Sequence, residues 1–148
     1  MKRLLVVAAL MACSTPALAQ MQPGEWQVTE KFTSVDMPGA PPWMADAVKQ
    51  PQVHKRCVTP EEAHSGPLGM MNDGPPGCKI TRQNLSDGKL DAVIVCDGPH
   101  GIALTATITG SFSPTRVDMN TNAAIESPGA PPLKTTMESA AERIGDCK

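Results

Sequence analysis

His54, Cys57 and His64 fall within eleven residues of one another, and Met70-Met71 follow closely. Imidazole, thiolate and thioether donors suit copper, so His54, His64, Met70 and Met71 are the candidate metal ligands of this chain. Cys57 beside a histidine base would also have the makings of a nucleophile. The nucleophile needs Cys57 as a thiolate, and a bridged cysteine has none. The competing account is that Cys57 is oxidised, the histidines are solvated, and the methionines fill irregular gaps under a loop. We favour that account.

No other constellation converges on catalysis. A G-x-S-x-G nucleophile elbow is absent from the sequence. Asp97-Gly98-Pro99-His100-Gly101 places an acid next to a histidine, but Asp-Gly-Pro is ordinary turn chemistry. Glu61 and Glu62 stand at a helix start, where carboxylates suit the macrodipole. Arg143 lies near the C-terminus with Asp146 as a natural partner. No catalytic residue and no cofactor is assigned, and the expectation is a non-enzymatic protein.

The elements that would position these residues begin after a leader. Met1-Lys2-Arg3, an uncharged run from Leu4 to Ala12 and Ala17-Leu18-Ala19 read as a secretory signal cleaved after Ala19. Leu10-Met11-Ala12-Cys13 also resembles a bacterial lipobox, which would instead anchor a lipoprotein at Cys13. We favour cleavage, because the apolar run would otherwise end unusually early. The expected organisation is a signal peptide over 1–19 and one disulfide-stabilised β domain over 20–148, located in the periplasm. The apolar run is too short to span a bilayer, which takes about 20 residues.

Loss of Lys2 and Arg3 moves the formal charge from −2 to −4, since all 15 acids lie downstream. A mildly acidic surface without a basic cluster argues against nucleic acid, whose binding rests on phosphate neutralisation. Trp26, Phe32, Trp43 and Phe112 are the only aromatics, too few for a stacking platform. Four cysteines remain beyond the leader, Cys57, Cys78, Cys96 and Cys147. In an exported chain they imply two disulfides with three connectivities open. We prefer Cys57–Cys78, closing a loop, with Cys96–Cys147, holding the C-terminus. Cys78–Cys96 is the rival, because those residues flank a hairpin.

Ile102, Leu104, Ala106, Ile108 and Phe112 alternate with Thr105, Thr107, Thr109 and Ser111. Period-two alternation over this length means a half-buried antiparallel strand. Weaker alternation runs from Trp26 to Phe32, from Arg116 to Ile125 and from Leu133 to Ala141. Lys79–Leu85 and Leu90–Cys96 flank Ser86-Asp87-Gly88, a strong hairpin signal. Six or seven strands joined largely in order predict an all-β fold. The expected form is an antiparallel meander making a curved sheet, sandwich or partly closed barrel.

One or two short helices and long Pro/Gly loops complete the expectation. Trp43 to Gln50 reads as helical, and Thr59-Pro60-Glu61-Glu62 carries a capping box with proline at the first helical position. Ser65 to Gly77 reads as a loop. Pro-Gly-Ala-Pro-Pro occurs twice, at 38–42 and 128–132, and both copies read as stops at strand ends, since proline cannot donate to a ladder.

Pro23-Gly24-Glu25-Trp26-Gln27-Val28, Cys57-Val58-Thr59-Pro60-Glu61, Cys78-Lys79-Ile80 and Arg143-Ile144-Gly145-Asp146-Cys147 stand in that order. Together they resemble the bacterial domain of unknown function 3617 (DUF3617), over nearly all of the chain after the leader. The resemblance implies a small exported or lipid-anchored protein of unassigned activity and offers no site residues to carry over. From the residues we expect a periplasmic module that binds a protein partner or a small apolar ligand, with copper binding or sensing as the alternative. A cavity lined by Ile102, Leu104, Ile108 and Val117 would favour the apolar ligand; a solid core there would favour a partner.

Overall fold

The computed structural model describes residues 20–71 and 77–148. The signal and lipidation readings on 1–19 therefore lie outside the described residues, as does part of the Ser65–Gly77 segment. The described chain is dominated by one antiparallel sheet of seven strands: β1 (Gly24–Asp36), β2 (Gln52–Val58), β3 (Cys78–Ser86), β4 (Lys89–Asp97), β5 (Ala103–Phe112), β6 (Arg116–Ser127) and β7 (Ala130–Gly145). Their spatial order is β2-β1-β7-β6-β5-β4-β3, so β2 and β3 are free edges and the sheet does not close. The meander runs from β3 to β7. The chain's beginning then completes the sheet, with β1 pairing β7 along most of its length.

Local chemistry explains the hairpins. Asp87 (φ 51°) and Gly88 (φ 70°) are the two turn residues between β3 and β4, the left-handed pair that matches strand twist. β6 and β7 are joined through Pro128-Gly129, with Gly129 at φ 78°. This corrects the reading of the second Pro-Gly-Ala-Pro-Pro as a strand stop: it is a tight turn, and β7 begins at Ala130. Pro131 and Pro132 fall where two residues of β7 face Glu126 alone, between the pairs Ile125↔Leu133 and Ser127↔Ala130. A bulge is where a strand tolerates residues that cannot donate. The first copy does end β1, and its last proline opens helix α1 (Pro42–Val48).

β2 was not expected as a strand. Gln52, His54 and Arg56 lie on one of its sides and Val53, Lys55 and Cys57 on the other, and all but Arg56 and Val58 are exposed. An edge strand mixing charge with apolar residues on both faces leaves no period-two signal.

Helix α2 (Pro60–His64) starts as its residues dictate. Thr59 Oγ1 accepts from the Glu62 N–H at 3.2 Å, and the Thr59 N–H donates to Glu62 Oε2 at 2.7 Å. The following Gly66–Met71 forms a buried 3-10 turn rather than the open loop expected there. Together α2 and this turn plug one half of one sheet face. Ala63, Leu68 and Met70 meet Trp26, Val28, Val58, Val117 and Ala141 on one side and Leu90, Ala92 and Ile108 on the other, with Phe112 and Met119 packed against both groups.

Arg56 pins the plug to β2: it pairs with Glu62 at 2.5 Å and donates to the Met70 carbonyl. Gly69 allows the closest approach, because a Cβ there would lie 2.2 Å from the Glu62 carbonyl oxygen. Gly69→Ala is therefore expected to cost about 2 kcal/mol through overpacking against backbone that cannot move aside. Urea unfolding checks this, and a loss under about 0.5 kcal/mol would contradict the placement of the plug.

The disulfides are Cys57–Cys147 and Cys78–Cys96, which corrects the preferred pairing and selects the rival for one bridge. Cys57 is opposite Glu25 on β1, and Glu25 is opposite Gly145 on β7. The first bridge thus straddles β1 and ties the edge strand to the tail. In the β3–β4 hairpin, the register between Ser86↔Lys89 and Arg82↔Val93 would place Cys78 opposite Asp97. A bulge between Ile80 and Arg82 slips it by one residue, and Cys78 lands opposite Cys96.

Candidate functional site

The strands are longer than the plug they carry. β1, β5, β6 and β7 each run 10 to 16 residues, or roughly 33–53 Å at about 3.3 Å per residue. One end of each lies in the core just described. The other end extends past it, and its apolar alternation continues regardless.

Three rows of side chains cross this second half. The row nearest the plug runs Ala92, Ile108, Thr121, Met137, Phe32. The next runs Ile94, Ala106, Ala123, Thr135, Val35, and the outermost runs Cys96, Leu104, Ile125, Leu133. The middle row is small at its centre, where Ala106, Ala123 and Thr135 lie between bulkier neighbours. A trough results by subtraction of side-chain volume, with Phe32 and Met137 as one bank and Leu104, Ile125 and Leu133 as the other.

Met37, just past β1, and Val48, at the end of α1, reach over it. The cavity so formed measures about 360 Å³ and is bounded almost wholly by carbon. That volume falls in the range of about 300–1,000 Å³ typical of small-molecule sites. Both Pro-Gly-Ala-Pro-Pro segments belong to this rim, since Asp36, where β1 ends, is opposite Lys134 near the start of β7.

The cavity is not where Ile102, Leu104, Ile108 and Val117 together would have put it. Ile108 and Val117 are fully buried in the plugged core, Ile102 is 39% exposed, and only Leu104 lines the cavity. Sequence alternation finds the face but not how far the plug reaches along it. The large-small-large succession of rows is visible only once the register is known.

The candidate metal ligands do not form a cluster around this site. His54 is exposed on β2, and His64, at the end of α2, lines a separate small cavity beside the β3–β4 turn. Met70 is buried in the core and Met71 is exposed. Among the described residues, no three His, Cys, Asp or Glu side chains are placed to hold a metal ion. His100 sits in an exposed 3-10 turn over Pro99–Gly101 at φ 60°. Arg143 has a structural place: its Nε donates to the Pro23 carbonyl at 2.8 Å and its guanidinium pairs with Asp146.

The opposite sheet face is polar. Thr105, Thr107 and Thr109 face Ala124, Asn122 and Asn120 across β5 and β6. Arg116 on that face bonds Asp118 and pairs with Glu142. The hydrogen bonds to Asp118, and then the attraction of that carboxylate, push the Arg116 pKa above its ordinary guanidinium value.

Comparison with known proteins yields a match to the family described as "Protein of unknown function (DUF3617)" over residues 21–147. No curated protein and no solved structure matches the chain.

Proposed function

The chain belongs to the DUF3617 family, and we propose that it is an exported, non-enzymatic module that binds a small apolar ligand in the cavity between helix α1 and the sheet. The observation that carries this reading is the trough itself, an apolar space of about 360 Å³ beyond the plugged core. A solid face would have favoured a protein partner instead. Fold class alone assigns no ligand, so the weight rests on this cavity.

Export is supported by the leader-like residues 1–19 and by two disulfides, which persist in oxidising compartments. Among the described residues no helix is long and apolar enough to cross a membrane. On this reading, residues 20–148 are one mature domain in the periplasm.

The test uses a neutral fluorescent probe, N-phenyl-1-naphthylamine, whose emission rises in apolar surroundings. The wild-type protein is expected to bind it saturably. Ala123→Phe places a ring in the floor of the trough and is expected to weaken binding at least tenfold, while changing stability by no more than about 0.5 kcal/mol, since the ring enters empty space. Absence of saturable binding by the wild type, or equal binding by the variant, would overturn the proposal.

A further inference from the structure

The cavity wall is almost wholly carbon, even at Thr121 and Thr135, and among the described residues no charged side chain lines it. Such a wall has little with which to recognise a polar group, so its dimensions select the ligand. The lining runs across four strands, from Leu104 on β5 through β6 and β7 to Val35 on β1. Three inter-strand steps of about 4.8 Å make a trough about 14 Å long.

Its section follows from length and volume. A cavity of about 360 Å³ spread over about 14 Å is about 26 Å² across. An extended alkyl chain advances about 1.25 Å per carbon, from bonds of about 1.5 Å at tetrahedral angles. A methylene fills about as much space as a water molecule, about 30 Å³, so the chain needs a section of about 24 Å². The trough is one alkyl chain wide. It takes about eleven carbons by length and about twelve by volume, so the two measures agree.

A second chain beside the first would need twice that section. A charged or zwitterionic head group cannot follow the tail inside, because it would leave water without a partner. It stays at the rim, where Asp36 is opposite Lys134 and Asp46 pairs with Lys49. These charges favour neither sign.

Resting on the apolar-ligand reading above, we infer that the ligand is a single-chain amphiphile whose unbranched tail of about twelve carbons lies along the trough, across the strands, with its head group in solvent.

Calorimetric titration of the full mature protein with alkyl phosphocholines, from octyl to hexadecyl and below their micelle-forming concentrations, tests this. Affinity is expected to rise about fourfold per methylene, the worth of burying one, up to about the dodecyl chain, and by less than about twofold in total from there to hexadecyl. Dihexanoyl phosphocholine divides the same number of tail carbons between two chains, and it is expected to bind at least about tenfold more weakly than the dodecyl form. Val35→Trp fills the β1 end of the trough and is expected to shorten the favoured tail by about three carbons while leaving octyl binding unchanged. A rise that continues to hexadecyl, equal binding of the dihexanoyl form, or an unshifted break in a folded Val35→Trp variant overturns the single-chain assignment and leaves the cavity standing. Binding of the naphthylamine probe without binding of any amphiphile does the same. If the variant does not fold, the wild-type series decides alone. Failure of both probe and amphiphiles to bind overturns this inference and the reading beneath it.

Discussion

Replacing Cys57 and Cys147 together by serine is expected to lower the unfolding free energy by about 4–5 kcal/mol, against about 3 kcal/mol for the same change at Cys78 and Cys96. The bridges differ in the length of chain they close. Cys57 and Cys147 are 90 residues apart and Cys78 and Cys96 only 18, and the loop-closure entropy removed from the unfolded state grows with that length. The long bridge also closes the sheet's least local junction, where β1 from the start of the domain is held between β2 and β7. Denaturant unfolding of the two serine pairs under oxidising conditions measures the difference. A larger loss from the short bridge would contradict the assigned connectivity, which peptide mapping of the intact protein reads directly.

Trp26→Ala is expected to cost about 3–5 kcal/mol, a cavity-forming change at the centre of the core. Trp26 is fully buried and packs among Met21, Val28, Val58, Val117 and Ala141. Its indole N–H donates to the Gln22 carbonyl at 3.0 Å, so the segment leading into β1 depends on it too. A domain of this size has about 5–15 kcal/mol in total, so the variant loses a large fraction of its stability. Urea unfolding followed by tryptophan-independent circular dichroism gives the value. A cost below about 1 kcal/mol would mean that Trp26 is not the centre of the core. Trp26→Phe keeps most of the packing and is expected to lose only the part due to the indole and its hydrogen bond.

Much of the architecture was legible residue by residue. The Thr59/Glu62 capping box formed as its spacing requires. Asp87-Gly88 turned the hairpin, and the Ile102-to-Phe112 alternation became β5 with Ala106 and Ile108 inward. These signals are local: a capping bond spans three residues and a pleat repeats every two, so neighbouring residues settle them. Misreadings came where a local pattern was silent or ambiguous. β2 mixes polar and apolar residues on both sides because it is an edge, and the second Pro-Gly-Ala-Pro-Pro carries the same residues as the first yet makes a turn and a bulge.

The candidate site was only half legible. Alternation identified Leu104 as inward-facing, but Phe32, Ile125, Leu133 and Met137 join it only through pairings that link β1 to β7 and β7 to β6. The cysteines make the same point. Their number and export-like context implied two bridges, while the partner of Cys57 depended on an unrecognised strand and the partner of Cys78 on a one-residue bulge.

By itself, then, the sequence determined the all-β class, the strands with clear period-two alternation, the capped helix, the pair of disulfides and membership of a family. Tertiary structure alone decided that β1 inserts between β2 and β7, that Gly66–Met71 folds down as a plug, and that the plug stops short of the far ends of the strands. The physical reason is range. Bonds within a turn or a pleat are set by residues that touch in sequence, whereas a cavity is volume left unfilled between residues up to about a hundred positions apart, and nothing short of their final register says which small side chains will stand in one row.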